Sequence, residues 1–342
     1  MDQRPYVGGM QPVPRRELGA EQVELHGHRA QQVNQSHHRA LIVHAHSFVL
    51  GDIISLNEIV VEREECSVVL SAFELAYDEV RERWPASTEE RDVTTPYGRT
   101  RVHVYGPADG HPLVLLPGGS STGLVWFANA PVLGTRYRVH AVDLLGDAGR
   151  TERRGTPLRN TDDLTAWLDT LLDGLGLART HLCGHSYGAG LAVRYALHAP
   201  QRIDRLALVD PTQVFAGFRP GYLLRALPSL VRPSEARARA FLAWETADTH
   251  PDESWQRLYG LATTVPGRKV VVGRRPRAAD LRMPVLTLFA EHSRAHNAVK
   301  VAERARRMLP RGEVVVLPGA THHSLPLAAP GRLNDRLMEF LD

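Results

Sequence analysis

The stretch Thr180-His181-Leu182-Cys183-Gly184-His185-Ser186-Tyr187-Gly188-Ala189 decides the fold. Thr180–Cys183 has the length and character of a buried strand, and Ala189–His198 reads as a helix. Between them a serine stands with a glycine two residues to either side. A strand that turns this sharply into a helix strains the residue at the corner, and bulk at either glycine would collide with neighbouring backbone. The strain lifts the serine hydroxyl above the sheet edge, and the N-terminus of the following helix favours developing negative charge there. Ser186 is therefore the candidate nucleophile; the competing reading is a purely structural turn.

Outward from this corner the chain alternates. Pro112–Leu116, Tyr137–Leu144, Arg205–Val209, Val285–Phe289 and Val314–Leu317 are apolar runs of strand length. Helical patterns lie between several of them, among them Leu164–Leu175 with Thr161 as a candidate N-cap, and Arg332–Leu341. Asp92–Thr95 and Arg101–Tyr105 flank the turn Thr95-Pro96-Tyr97-Gly98 and predict an antiparallel hairpin. Buried strands alternating with helices imply an α/β architecture, a mostly parallel sheet with helices on both faces. Residues 212–281 break the rhythm: they are helix-rich and carry Phe241, Leu242, Trp244, Trp255 and Tyr259. They sit where a lid would be inserted, and Trp244 is the first candidate for lining a pocket there.

Residues 1–65 are rich in Gln, His and Arg and show no sustained period, so a disordered extension is expected, with the folded domain spanning 66–342. Six histidines fall between His26 and His46, but their spacing matches no metal-ligand pattern. No metal and no cofactor is expected. The net charge is +3, and almost all the positive charge is Arg scattered among acids. No clustered basic module points to nucleic acid. The two cysteines, Cys66 and Cys183, imply no disulfide framework. No run is apolar enough for a signal peptide or a membrane span, so the expectation is a cytoplasmic protein without a membrane partner.

Two further loops carry chemistry. Leu115-Leu116-Pro117-Gly118-Gly119-Ser120-Ser121 follows a strand, and its backbone can supply one amide of an oxyanion hole. Gly119 is the candidate there, and the amide of Tyr187, directly after the serine, is the second. Leu317-Pro318-Gly319-Ala320-Thr321-His322-His323-Ser324-Leu325-Pro326 follows the last strand. A serine hydroxyl needs a base to take its proton, and a histidine on this loop can reach back across the sheet edge.

Together these segments resemble the α/β-hydrolase superfamily, in particular bacterial carboxylesterase-like members, from about residue 68 to the end. The resemblance rests on Val114–Gly119, Ala141–Asp147, Gly184–Gly188, Val209–Pro211 and His323–Leu327. It implies a Ser, acid, His order. Counting from His323-Ser324-Leu325-Pro326 makes His323 the base; counting from Gly319-Ala320 makes it His322, and the first count is preferred. The family's acid usually stands a few residues past the strand Val285–Phe289, where this chain has Ala290-Glu291-His292-Ser293. Ser293 occupies the usual acid position, so Glu291 is the expected acid. Asp210 is the alternative, because some members place the acid after the strand Arg205–Val209. The resemblance implies a serine hydrolase cleaving an ester or thioester of a small molecule. Alternatives are an aminopeptidase-like member or a binding protein of the same fold without a working acid. Family members that place an aspartate at the nucleophile position are less similar. Oligomeric state is not legible.

Overall fold

The computed structural model describes residues 53–246, 249, 251–327 and 330–342, with side chains described from Ser67 onward. The six clustered histidines and most of the expected extension lie outside the described residues. Residues 53–65 of that extension are not irregular: they form the first half of helix α1 (Ile53–Arg81). No helix of the described residues is long and apolar enough to cross a membrane.

After α1 come the hairpin β1 (Glu89–Thr95) and β2 (Gly98–Tyr105), then β3 (His111–Leu116), the short α2 (Ala130–Leu133), β4 (Tyr137–Val142) and β5 (Glu152–Arg153). Next are α3 (Thr161–Gly174), β6 (Thr180–His185), α4 (Tyr187–His198) and β7 (Ile203–Val209). Helices α5 (Pro220–Val231), α6 (Glu235–Thr246) and α7 (Glu253–Ala262) form an insertion before β8 (Val285–Ala290). The chain closes with α8 (Ala298–Met308), β9 (Glu313–Leu317) and α9 (Pro330–Leu341).

The sheet order is β1-β2-β4-β3-β6-β7-β8-β9, with the two-residue β5 beside β2. β1, β2 and β5 pair antiparallel, and every pairing from β4 to β9 is parallel. The mixed sheet and its hairpin therefore match the expectation. The N-cap of α3 is Asn160 rather than Thr161; its side chain accepts from the amides of Asp162 and Asp163.

Side chains of a strand alternate between faces, and β3 shows what this does for the core. Leu113 and Leu115 join the cluster that holds Phe73, Tyr77 and Trp84 at the α1 end and Leu333 and Leu337 of α9. Val114 and Leu116 join the opposite cluster with Leu168 and Leu171 of α3, Leu191 of α4 and Val301 of α8. Each fully buried leucine contributes about 1.5–3 kcal/mol by leaving water. The second half of α1 is also tied down by chemistry: the Tyr77 hydroxyl donates to the buried Asp143 carboxylate at 2.7 Å.

The parallel strands leave one set of ends, those of β3, β6, β7, β8 and β9, pointing the same way. The loops after them meet there, and those loops contain the residues singled out in the sequence.

Candidate functional site

Ser186 sits at the corner between β6 and α4 with φ 51° and ψ −111°, left-handed backbone for a non-glycine residue. The surroundings hold it there. Its amide donates to the Val209 carbonyl at 3.0 Å, and its carbonyl accepts from the Gly190 amide at 3.2 Å. The two flanking glycines are required by space. A Cβ on Gly184 would lie 2.5 Å from the Gly188 carbonyl carbon, and one on Gly188 would lie 2.3 Å from the Pro117 carbonyl oxygen.

The serine side chain makes no cap bond to its own helix. Its Oγ lies 2.8 Å from Nε2 of His322. On the far side of the ring, Nδ1 of His322 is 2.5 Å from Oδ2 of Asp210. His322 and Asp210 are buried. Burial alone works against a charge on His322, but the Asp210 hydrogen bond and charge, with Glu245, outweigh it and raise its pKa above the ordinary histidine value. Burial alone would likewise raise the Asp210 pKa. The charges and hydrogen bonds of His296 and His322 overcome that and hold its carboxyl well below the usual range.

The structure departs from the expected site at two places. His322, not His323, meets Ser186. His323 turns the other way, its ring edge-on to Phe241 at 6.1 Å and Tyr259 at 5.3 Å, ring centre to ring centre. Burial, with the neighbouring His322 and His185, holds the His323 pKa well below the ordinary value. Glu291 does not reach the histidine pair. It accepts the Gly319 amide at 2.9 Å on an exposed stretch of the loop. Asp210, the alternative acid, occupies the position behind the ring.

The residue at the usual acid position nevertheless takes part. The Ser293 hydroxyl donates to Asp210 Oδ2 at 2.9 Å. Asp210 Oδ1 accepts from the Ala290 amide at 3.0 Å and lies 3.0 Å from Nε2 of the buried His296. Sequence reasoning missed His296, because nothing in its spacing ties it to a residue so far back in the chain.

The glycine loop lies against the serine. A Cβ on Gly118 would stand 3.3 Å from the Ser186 Cβ, and one on Gly119 would stand 3.7 Å from the Tyr187 Cβ. Among the described residues, the amides of Gly119 and Tyr187 take no hydrogen bond, whereas the next amide, Ser120, donates to Asp147 Oδ2 at 2.8 Å. Arg268 clamps this loop, pairing with Asp147 at 2.6 Å and donating to the Ser120 hydroxyl at 2.7 Å. The arginine was invisible in the sequence, since it arrives from the insertion.

A cavity of about 330 Å³ opens beside Ser120, walled by Phe241, Tyr259, Ala226 and Leu230 of the insertion and by Arg268. Trp244 is not among its walls. It packs against Tyr222 and Phe241 instead and lies under the Arg294 guanidinium. At the opposite end of the strands His111, His181 and Asp204 gather their ligand atoms within 4.8 Å. Asp204 is already engaged there by an ion pair with Arg179 and a contact with His111.

The geometry is that of a hydroxyl on a strained corner, an imidazole and a buried carboxylate in line, with two unpaired amides alongside. The profile of the alpha/beta hydrolase family matches residues 113–336, more than half of the chain. The chain belongs to that family. Among its relatives is carboxylesterase YbfK of Bacillus subtilis, 28% identical over 281 residues, which are 79% of this chain and 93% of the relative. The carboxylesterase nap of the same organism, described as uncharacterized, is 28% identical over 78% of this chain and 91% of its own length. The crystal structure of YbfK superposes with a TM-score of 0.73 at 27% identity, covering 79% of this chain and 96% of that one.

Proposed function

We propose that the chain is a serine hydrolase that cleaves a carboxylic ester of a small molecule through an acyl-enzyme on Ser186. The observation that carries this reading is the 2.8 Å contact between Ser186 Oγ and His322 Nε2, with Asp210 2.5 Å behind the ring. In the reaction Ser186 Oγ attacks the acyl carbonyl while His322 takes its proton. The amides of Gly119 and Tyr187 receive the oxyanion, and the imidazolium then protonates the leaving alcohol. Water attacks the acyl-enzyme with His322 again as base, which releases the acid and restores the serine. Asp210 fixes the imidazole tautomer and stabilises the imidazolium. The two carboxylesterase relatives favour an ester over an amide bond, and a paired acid argues against a binding protein without catalysis.

The insertion acts as the lid of the site. The cavity meets the site at Ser120 of the glycine loop, with no triad residue in its lining, and Phe241 and Tyr259 give it an apolar wall that would suit an uncharged acyl or alcohol group of modest size. A fluorophosphonate probe should label wild-type Ser186 covalently. Ser186→Ala should not label, and should lose hydrolysis of short p-nitrophenyl esters while its melting temperature barely moves. Equal turnover by the mutant and the wild type overturns the reading.

A further inference from the structure

Glu245 lies on α6 and is fully buried. A carboxylate costs free energy to bury unless something compensates it, and among the described residues no salt bridge reaches this one. Its partners are instead two backbone amides. Oε1 accepts the His322 amide at 2.9 Å, and Oε2 accepts the His323 amide at 2.8 Å. One side chain of the insertion thus holds two successive backbone N–H groups, those of His322 and His323; the second shares its peptide unit with the His322 carbonyl. That carbonyl is itself 2.9 Å from Nε2 of His185, the residue before the serine.

We propose that Glu245 is a positioning residue for the base: it fixes the backbone that carries His322 and adds a second carboxyl group near the imidazole. This inference rests on the serine hydrolase reading. The ring of His322 can align with both Ser186 and Asp210 only if its backbone cannot rock, and two amides gripped by one carboxylate prevent that. Other groups share the space. Asp210 and Glu245 are the acids near His322; the His185 ring is tilted against it at 5.1 Å, and His323 and Tyr222 lie edge-on at 4.9 and 6.4 Å. His296 reaches the same Asp210 from the other side. Tyr259 is the further titratable neighbour of Glu245. Burial raises the Glu245 pKa above the ordinary carboxyl value, while His322 and the two amides pull it back.

The sign follows. An anion near His322 stabilises its protonated form, so removing it lowers the pKa of the base. The acid limb of the kcat/KM profile then moves to lower pH. Glu245→Gln removes the charge and presents an NH2 to one of the two amides. It should lower kcat by about 10- to 100-fold, leave KM within about threefold, and shift the acid limb downward. Glu245→Asp keeps the charge but shortens the reach; it should lower kcat with the acid limb unmoved, and it provides the test if the glutamine variant does not fold. Wild-type kcat and an unmoved limb in Glu245→Gln, or wild-type kcat in Glu245→Asp, overturn the proposal. A wild-type protein that the fluorophosphonate does not label sinks the hydrolase reading and this inference with it. A wild type that labels, beside a variant that matches it, sinks this inference alone.

Discussion

The loops after β7 and β8 each offer a carboxylate to the histidine loop, and they treat it in opposite ways. After β8, Glu291 keeps 47% of its side chain in solvent and binds one amide of a neighbouring turn. After β7, Asp210 is fully buried, with φ at 39°. It collects an amide, a hydroxyl and two imidazoles. Three of those four partners, Ala290, Ser293 and His296, come from the end of β8 and the loop that follows it. The β8 loop therefore supplies the donors that make the β7 carboxylate strong, not the carboxylate itself. What fits a residue to be an acid of this kind is the set of groups facing it, since an ionised carboxylate survives burial only when its oxygens are satisfied.

If Asp210 is the acid, only the histidine it touches can shuttle protons. His322→Ala should lower kcat by about a million-fold. His323→Ala should keep kcat within about tenfold and mainly lose stability, because its ring packs on Phe241 and Tyr259. Steady-state kinetics and a thermal melt of both variants separate the two. The reverse pattern would return the base to His323.

A smaller effect sharpens the role of the β8 loop. Ser293→Ala removes one donor from Asp210 and leaves the other three. A hydrogen bond to a charged group contributes about 1.5–3 kcal/mol, and the remaining donors absorb part of that. A fall of about tenfold in kcat/KM is expected. No change at all would mean that the hydroxyl at this position only fills space.

Much of this was legible in the chain itself. Apolar runs of strand length located the parallel strands, because a strand covered on both faces leaves no polar side to disguise it. The serine corner was legible because its two glycines are demanded by backbone clearance. The choice between His322 and His323 was not, since it depends on which way a loop is rotated. That rotation is set by Glu245 gripping both amides and by the aromatic wall around His323. Asp210 stands second to Glu291 in the sequence because place along the chain says nothing of what donates to it from 80 or more residues away. Glu245 did leave a trace. Ala238, Phe241, Leu242, Glu245 and Thr246 form the buried stripe of α6, with a charged residue where helical spacing calls for an apolar one. The first half of α1 left none, having too weak an amphipathic pattern to stand out.

The assignment of Asp210 as the acid behind His322 can be checked by measuring kcat/KM of Asp210→Asn and Glu291→Gln side by side on one p-nitrophenyl ester. Asp210→Asn should fall by about 1,000- to 10,000-fold, because the histidine loses both its tautomer and its counter-charge, while Glu291→Gln should stay within about twofold of the wild type. A nearly unchanged Asp210→Asn beside a crippled Glu291→Gln would contradict it.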